Sequence, residues 1–289
     1  MNSPDIQWPA PAKLNLMLHI TGRREDGYHE LQTVFQFLDA GDTLQFALRD
    51  DADIRLSGSP ANVPEEENLV YRAAKLLQPM APRRGVDIRL HKALPMGAGL
   101  GGGSSDAATT LVALNHLWQL GLSPQQLAET GLSLGADVPV FVQGFAAFGE
   151  GVGEKLTPVS LDEPWFLVLT PPVHVATGEI FCKPELTRDC SAIKICDLSR
   201  QPWRNVCTPV VVKSYPEVAQ AIEILSKYST ASMSGTGASV FARFDSEAEA
   251  GQVLAQIRAK NLPENWHSFV ARGLNESPLQ TFLKKYVSQ

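Results

Sequence analysis

Residues 94–106 read Leu94-Pro95-Met96-Gly97-Ala98-Gly99-Leu100-Gly101-Gly102-Gly103-Ser104-Ser105-Asp106. Five of the seven positions from 97 to 103 are glycine, and a long helical pattern follows at once. Glycine lets a backbone approach a ligand closely, and a helix N-terminus offers free N–H donors and positive partial charge. The stretch therefore predicts a phosphate-binding loop. The alternative interpretation is a flexible surface loop, or a tight turn that packs a helix onto a strand.

The residues that follow the loop exclude some classes of phosphate-binding loop. No Gly-Lys-Ser/Thr follows, so it is not a Walker A loop. Gly97, Gly99 and Gly102 formally spell GxGxxG, but a dinucleotide site needs an acidic residue about twenty positions further on. The next acid after Asp106 is Glu129. A nicotinamide enzyme is thus a weak alternative, and the His-Arg-Asp and Asp-Phe-Gly signatures of protein kinases are absent.

Periodicity predicts a mixture of strands and helices around this loop. Alternating apolar residues predict strands at 13–20, 43–48, 53–56, 86–91, 165–170, 240–244 and 269–272. Apolar stripes and start signals predict helices at 68–77, 104–120, 216–228 and 246–260, one beginning at Ser123-Pro124, and a short one from Ser277. No regular alternation of strand and helix runs through the chain, which favours an α+β fold. The Pro-containing segment 157–164 is the predicted boundary between domains 1–160 and 161–289.

Composition limits the classes of function. The 289 residues carry 25 Lys+Arg and 31 Asp+Glu, and the net charge of −6 argues against an electrostatically driven nucleic-acid binder. No apolar run is long enough to span a bilayer, and the start lacks a signal-peptide pattern. The four cysteines have no zinc-site spacing and read as free thiols. We therefore expect a cytoplasmic protein with no membrane partner.

Other segments could also contribute chemistry. Asp137, in Gly135-Ala136-Asp137-Val138-Pro139, is either a helix cap or a base, and alone the cap is favoured because Asp is a good cap residue. Lys13 lies in the first predicted strand, where a lone lysine is normally a solvated edge residue. Asp26-Gly27-Tyr28-His29 reads most simply as a turn and a surface pair. A second glycine-rich segment, residues 234–239, precedes a strand.

Taken together and in this order, these segments resemble the GHMP kinase superfamily. The resemblance rests on Pro11-Ala12-Lys13-Leu14-Asn15-Leu16, the glycine-serine loop, residues 135–139 and residues 234–238. Residues 11–37 and 144–154 are similar to one branch, which phosphorylates a cytidine diphosphate-linked methylerythritol. The resemblance covers essentially the whole chain and is weakest in residues 184–215.

The resemblance implies a fold of two α+β domains with the active site in the cleft between them, and phosphoryl transfer from ATP to a tertiary 2-hydroxyl. It implies Asp137 as the base or the group that orients the hydroxyl, with Lys13 as its charge partner. The implied ATP-binding residues are Pro95, Met96, Gly97, Ala98, Gly99, Leu100, Gly101, Gly102, Gly103, Ser104, Ser105, Asn68 and Lys92. The implied substrate-binding residues are Asn15, which shares a strand face with Lys13, and Tyr28, His29, Thr177 and Phe181.

Two further expectations follow from the same likeness. Mg²⁺ is expected to be held mainly by nucleotide oxygens and water, with no protein ligand assigned. The chain is expected to act on a small molecule as a monomer or weak homodimer. Two other functions stay open: a GHMP kinase for another small alcohol, and a nucleotide-binding sensor without chemistry.

Overall fold

The computed structural model describes residues 6–61, 63–200, 203–260 and 262–287. The strands are β1 Trp8–Arg23, β2 His29–Arg49, β3 Ile54–Ser57, β4 Gly85–His91, β5 Ala147–Gly151, β6 Lys155–Pro158, β7 Trp165–Thr170, β8 Ala231–Met233, β9 Val240–Phe244 and β10 His267–Leu274. The helices are α1 Leu69–Leu77, α2 Gly102–Leu117, α3 Pro124–Leu132, α4 Val138–Gln143, α5 Thr177–Cys182, α6 Thr208–Ser214, α7 Pro216–Ser226, α8 Glu247–Ala259 and α9 Pro278–Val287.

The strand β2 organises the sheet. It pairs antiparallel with β1 over residues 29–44, with β4 along its C-terminal part and with β5 along its N-terminal part. β10 joins β2 at Leu38 and Phe37 and continues through β7 to β9 and β8. The two halves of the chain therefore share one connected sheet, which confirms the α+β prediction over a doubly wound parallel sheet.

Most predicted elements are present, but the first hairpin is much longer than expected. The strand predicted at 13–20 extends over Trp8–Arg23, and the short strand predicted at 43–48 is the end of the 21-residue β2. In the part that was not predicted, residues 8–12, nearly every residue is buried and apolar, so no alternation indicates a strand there. Strands β5, β6 and β8 and helices α4, α5 and α6 were not predicted, because each spans seven residues or fewer.

Two of the predicted helices show why the sequence folds as it does. Ser123 accepts a hydrogen bond from the Gln126 backbone N–H, and the Gln126 side chain accepts one from the Ser123 backbone, which forms a capping box at α3. Helix α2 has little amphipathicity because residues 105–114 are buried on all sides. The helix that follows the glycine-rich loop is thereby held firmly inside the domain.

The hydrophobic core has three parts. One part lies under α1, α2, α3, α4 and α9, and a second lies between α6, α7, α8 and the strands β7 to β9. A third part joins them and contains Leu94, Ala98 and Leu100 of the glycine-rich loop together with Leu14 and Phe241. The loop is thus packed where the two halves of the chain meet.

Two expectations about the whole chain have different outcomes. Within the residues that the structure describes, no helix is both long and apolar enough to cross a membrane. The segment 157–164 contains the last two residues of β6 and ends directly before β7, and the domain limits 1–160 and 161–289 remain a prediction.

Candidate functional site

Most of the predicted site residues line one cleft of about 610 Å³ between the two halves of the chain. Its wall combines strand β1, the loop before α2, the start of α4, helix α5 and the second glycine-rich segment. The predicted residues that line it are Lys13, Asn15, Asn68, Lys92, Pro95, Met96, Gly97, Ala98, Gly99, Gly101, Gly102, Gly103, Ser104, Asp137, Thr177 and Phe181. Segments far apart in sequence therefore meet in a single concave surface.

The glycine-rich loop has the backbone geometry of an anion cradle. Gly97, Gly99 and Gly101 have φ angles of 61°, 75° and 72°, in the left-handed region that favours glycine. Helix α2 begins at Gly102, and its N-cap Gly101 supplies no side-chain cap. The first N–H groups of α2 consequently remain available to a ligand at the positive end of the helix.

The second glycine-rich segment packs directly against the first. The Ser239 N–H donates to the Ala98 carbonyl over 3.0 Å, and the Ser234 hydroxyl donates to the Gly99 carbonyl over 2.8 Å. A Cβ on Gly99 would lie 2.2 Å from the Ser234 carbonyl oxygen. The two loops therefore form one unit, and glycine at position 99 is required for their close approach.

Lys13 and Asp137 form an ion pair at the centre of the cleft. The Lys13 Nζ lies 3.1 Å from the Asp137 Oδ2, and their side chains are 3% and 34% exposed. The Lys13 Nζ also donates to the Asn15 Oδ1 and, over 3.1 Å, to the Gly99 carbonyl. Asp137 occupies the N-cap position of α4, but its side chain makes no capping hydrogen bond. Its carboxylate is therefore directed at Lys13 and the cleft rather than at the helix backbone.

Asn15 is held in place from two sides. Its backbone N–H donates to the Ser234 hydroxyl over 3.0 Å, and its Nδ2 donates to the Thr33 Oγ1 over 2.8 Å. The side chain shares a face of β1 with Lys13, as the two-residue spacing predicts. A fixed amide next to the ion pair can orient a polar substrate without moving itself.

Lys92 lies between two buried carboxylates, Asp42 and Asp106, and we call these three residues the Asp42–Lys92–Asp106 cluster. The Lys92 Nζ donates to Asp42 and, over 2.8 Å, to the Asp106 Oδ2. Burial raises the pKa of Asp106 to about 7, against the attraction of Lys92 and with repulsion from Asp42 adding to the rise. Burial would lower the pKa of Lys92, but the two carboxylates outweigh it and raise that pKa.

This cluster makes stability depend on pH. A carboxyl whose folded pKa is near 7, against 3.8 in the unfolded chain, binds more protons when folded. Its contribution to stability is present below about pH 4 and is lost as the pH rises through 7. We expect Asp106→Asn to become progressively more stable relative to wild type between pH 5 and pH 8, measured by denaturant unfolding without ligand. A constant difference across that range would contradict the assignment.

Two of the residues that the resemblance assigns to the substrate, Thr177 and Phe181, line the cleft next to the second glycine-rich segment. The Thr177 hydroxyl lies 2.8 Å from that of Thr236, and the ring of Phe181 stacks on that of His29 with centroids 5.1 Å apart. Arg188 fixes this stack, because it donates to the His29 Nε2 over 3.1 Å and to the Phe181 carbonyl over 2.7 Å.

The contact with Arg188 also determines where the proton of the His29 ring lies. Burial and the neighbouring Arg188 lower the pKa of His29. Because its Nε2 accepts a hydrogen bond, the ring is neutral and carries its proton on Nδ1. The neutral His29 ring stacks on Phe181 without the cost of removing a charged group from water.

Some predicted residues do not line the cleft. Leu100 and Ser105 are buried, and the Ser105 hydroxyl has no hydrogen-bond partner among the described residues. The Tyr28 ring is 65% exposed, and the His29 ring lies next to Phe181 rather than in the wall. The contact of these residues with a bound ligand stays a prediction.

Sequence reasoning missed several residues of the wall. Asp106, His174, Thr236 and Gly237 line the cleft without having been assigned to it. The second glycine-rich segment was noted, and its likeness to the first was the available signal. His174, two residues after Pro172, lies next to Gly97, and no pattern in the sequence indicates that contact.

The comparisons with known proteins agree with this geometry. The family model described as GHMP kinases N terminal domain matches residues 68–145, and that described as GHMP kinases C terminal matches residues 191–263. A protein of Pseudomonas entomophila named 4-diphosphocytidyl-2-C-methyl-D-erythritol kinase is 56% identical over 282 residues, with 97% of both chains covered. A protein of Nitrosococcus oceani with the same name is 56% identical, covering 97% of this chain and 99% of its own.

Solved structures give the same result. A crystal structure of 4-(cytidine 5'-diphospho)-2C-methyl-D-erythritol kinase superposes with a TM-score of 0.79 at 32% identity, covering 93% of this chain and 99% of its own. A mevalonate kinase superposes with a TM-score of 0.67 at 15% identity, covering 94% of this chain and 100% of its own, which shows a shared fold alone. The chain therefore belongs to the GHMP kinase family, in the group of relatives named 4-diphosphocytidyl-2-C-methyl-D-erythritol kinase.

Proposed function

We propose that this kinase transfers the γ-phosphoryl group of ATP to the 2-hydroxyl of 4-diphosphocytidyl-2-C-methyl-D-erythritol, giving the 2-phosphate and ADP, in the non-mevalonate route to isoprenoid precursors. The observation that carries the proposal is the Lys13–Asp137 pair, which lies beside the glycine-rich loop in a cleft shared by both halves of the chain. A sensor without chemistry would not need a carboxylate and an ammonium 3.1 Å apart next to a phosphate cradle.

The chemistry divides between the two sides of the cleft. The N–H groups at the start of α2 and the glycine loop bind the ATP phosphates and stabilise the charge that develops on them. Asp137 orients the substrate hydroxyl and accepts its proton as the oxygen attacks the γ-phosphorus. The bond from the γ-phosphorus to the β–γ bridging oxygen breaks, and ADP leaves. Lys13 stays bound to Asp137 and offsets negative charge near the attacking oxygen.

Mg²⁺ is part of the proposal and enters with ATP. Among the described residues, no group of three or more His, Cys, Asp and Glu side chains is placed to hold a metal ion. The carboxylates nearest the loop, Asp42 and Asp106, already bind Lys92. We therefore propose that nucleotide oxygens and water hold the ion, which would neutralise charge on the transferred group. The protein is further proposed to act in the cytoplasm as a monomer or weak homodimer.

The substrate is tested by a coupled assay of ADP release. Purified protein with MgATP is given 4-diphosphocytidyl-2-C-methyl-D-erythritol, homoserine, mevalonate or galactose in parallel. The proposal predicts turnover on the cytidine compound alone. Turnover on another alcohol would select a different GHMP kinase activity, and ATP binding with no ADP release on any alcohol would select a sensor.

The cytidine end is tested at Phe181. Phe181→Leu keeps the apolar volume but removes the flat ring on which a base can stack, an interaction of about 1–3 kcal/mol per base. We expect KM for the cytidine substrate to rise about tenfold, which corresponds to about 1.4 kcal/mol, while KM for ATP stays unchanged. Phe269→Leu, on β10 outside the cleft wall, is the control. An equal rise in both KM values would show that the ring does not belong to the substrate end.

A further inference from the structure

The buried carboxylate of Asp42 binds the residues that lead into the glycine-rich loop. Asp42 lies on β2 with its side chain fully buried, and it is not part of the cleft wall. Its Oδ1 accepts hydrogen bonds from the backbone N–H groups of Ala93, over 2.6 Å, and Leu94, over 2.8 Å. Its Oδ2 accepts from the Lys92 Nζ. One side chain thus binds three consecutive residues immediately before the loop.

The position of Asp42 follows from the register of the sheet. Thr43 of β2 pairs with His91, the last residue of β4. In an antiparallel pair the next residues to meet are Asp42 and Lys92, at the point where the chain leaves the sheet for the loop. The carboxylate replaces the missing strand partner for the N–H groups of residues 93 and 94. Leu94 is buried, so its N–H would otherwise be left without a partner away from water.

The other end of the loop is tied to the same group. Asp106 lies in the first turns of α2, and its Oδ2 binds the Lys92 Nζ over 2.8 Å. Lys92 therefore bridges β2 to α2, and the segment between residues 94 and 106 is closed at its base by the Asp42–Lys92–Asp106 cluster. A loop closed by two buried contacts loses less conformational entropy when it binds a ligand than an open loop does.

We infer that Asp42 is a positioning residue for ATP, acting through Lys92, Ala93 and Leu94 rather than by contact with the nucleotide. It fixes the distance between the loop entrance and the first turn of α2, and so holds the phosphate-binding N–H groups in register. This inference uses only the ATP binding of the kinase family and is independent of which alcohol is phosphorylated.

The test is the affinity for ATP itself, measured by titration calorimetry with MgATP and no alcohol substrate. Asp42→Asn keeps an oxygen for the two backbone donors but places an amide N–H against the Lys92 ammonium. A shift of about 1 Å in a positioning element can cost about 10²-fold, so we expect Kd for ATP to rise by about 10- to 100-fold. In the assay, kcat/KM for ATP falls with it, while KM for the alcohol stays within about twofold.

A general loss of stability has to be distinguished from loss of positioning. Ile88→Val removes a buried methyl group on β4, opposite Phe46 of β2, and lowers stability moderately. It should leave Kd for ATP unchanged. Hydrogen exchange should accelerate in residues 92–106 of Asp42→Asn and not in Ile88→Val.

If Asp42→Asn does not fold, a second variant tests the same inference. Asp106→Ala opens the tie to α2 but leaves Asp42 with all its donors and a balanced partner in Lys92, and it should also weaken ATP binding. Wild-type affinity for ATP in either folded variant, or an equal loss in Ile88→Val, would overturn the inference. Failure of the wild type to phosphorylate the cytidine compound, with ATP still bound, would overturn the proposed function and leave this inference standing.

Discussion

Asp137→Asn is expected to lower kcat by about 10²–10⁴-fold, the usual contribution of a positioned general base. The asparagine keeps the shape of the side chain but cannot accept the hydroxyl proton. Lys13 keeps two acceptors, the Asn15 Oδ1 and the Gly99 carbonyl, so the variant should fold normally. The measurement is steady-state turnover, with calorimetric titration of ATP to show that the nucleotide still binds.

A matched control isolates the position from the chemistry. Asp162→Asn makes the same change at an exposed carboxylate that pairs with Arg243 outside the cleft. It should leave kcat unchanged. Near-normal turnover of Asp137→Asn would show that Asp137 is not the base and that the Lys13–Asp137 pair has another role.

Gly99→Ala should damage both the fold and the catalysis. Gly99 has a φ of 75°, and its Cβ would lie 2.2 Å from the Ser234 carbonyl oxygen and 3.0 Å from that of Gly237. Relief of this contact must separate the two glycine-rich segments and move the carbonyl that binds Lys13. We expect a loss of about 2–4 kcal/mol in the free energy of unfolding, from overpacking and left-handed strain together, and a fall of about 10²-fold or more in kcat/KM.

The control variant Gly121→Ala introduces left-handed backbone strain without a close contact between two segments. Gly121 has a similar φ of 70°, but its Cβ would meet nothing within 4 Å. It should cost only the left-handed strain, about 1–2 kcal/mol, with kcat unchanged. The two variants are compared by urea unfolding and by steady-state kinetics. Equal losses of stability, or full activity of Gly99→Ala, would show that the contact between the two loops is unimportant.

The sequence predicts the parts of this fold that local patterns control. The strands Trp165–Thr170 and Val240–Phe244 have the predicted limits, and the capped helix α3 begins at Pro124 as expected. The N-terminal half of β2 was missed, because burial of residues 32–38 on both faces of the sheet removes the alternation of apolar and polar residues.

The site was predictable where residue type and spacing alone set the chemistry. The two-residue spacing places Asn15 beside Lys13, as the structure shows. The glycine density of residues 97–103 predicts a phosphate loop, and that role stays a prediction. Long-range contacts were not predictable in the same way. Nothing local in the sequence indicates that Asp42 binds residues 92–94, or that Arg188 fixes His29 against Phe181, because these contacts depend on sheet register and on chain folding over long separations.

The most direct test of the central claim is the structure of the reaction product. The protein is incubated with MgATP and 4-diphosphocytidyl-2-C-methyl-D-erythritol, and the mixture is followed by phosphorus and carbon magnetic resonance. We expect a new phosphomonoester coupled to the tertiary carbon that bears the 2-hydroxyl, with an intact diphosphate bridge and one ADP formed per product. A phosphate on a different hydroxyl, a cleaved diphosphate, or ADP formed without any new phosphomonoester would contradict it.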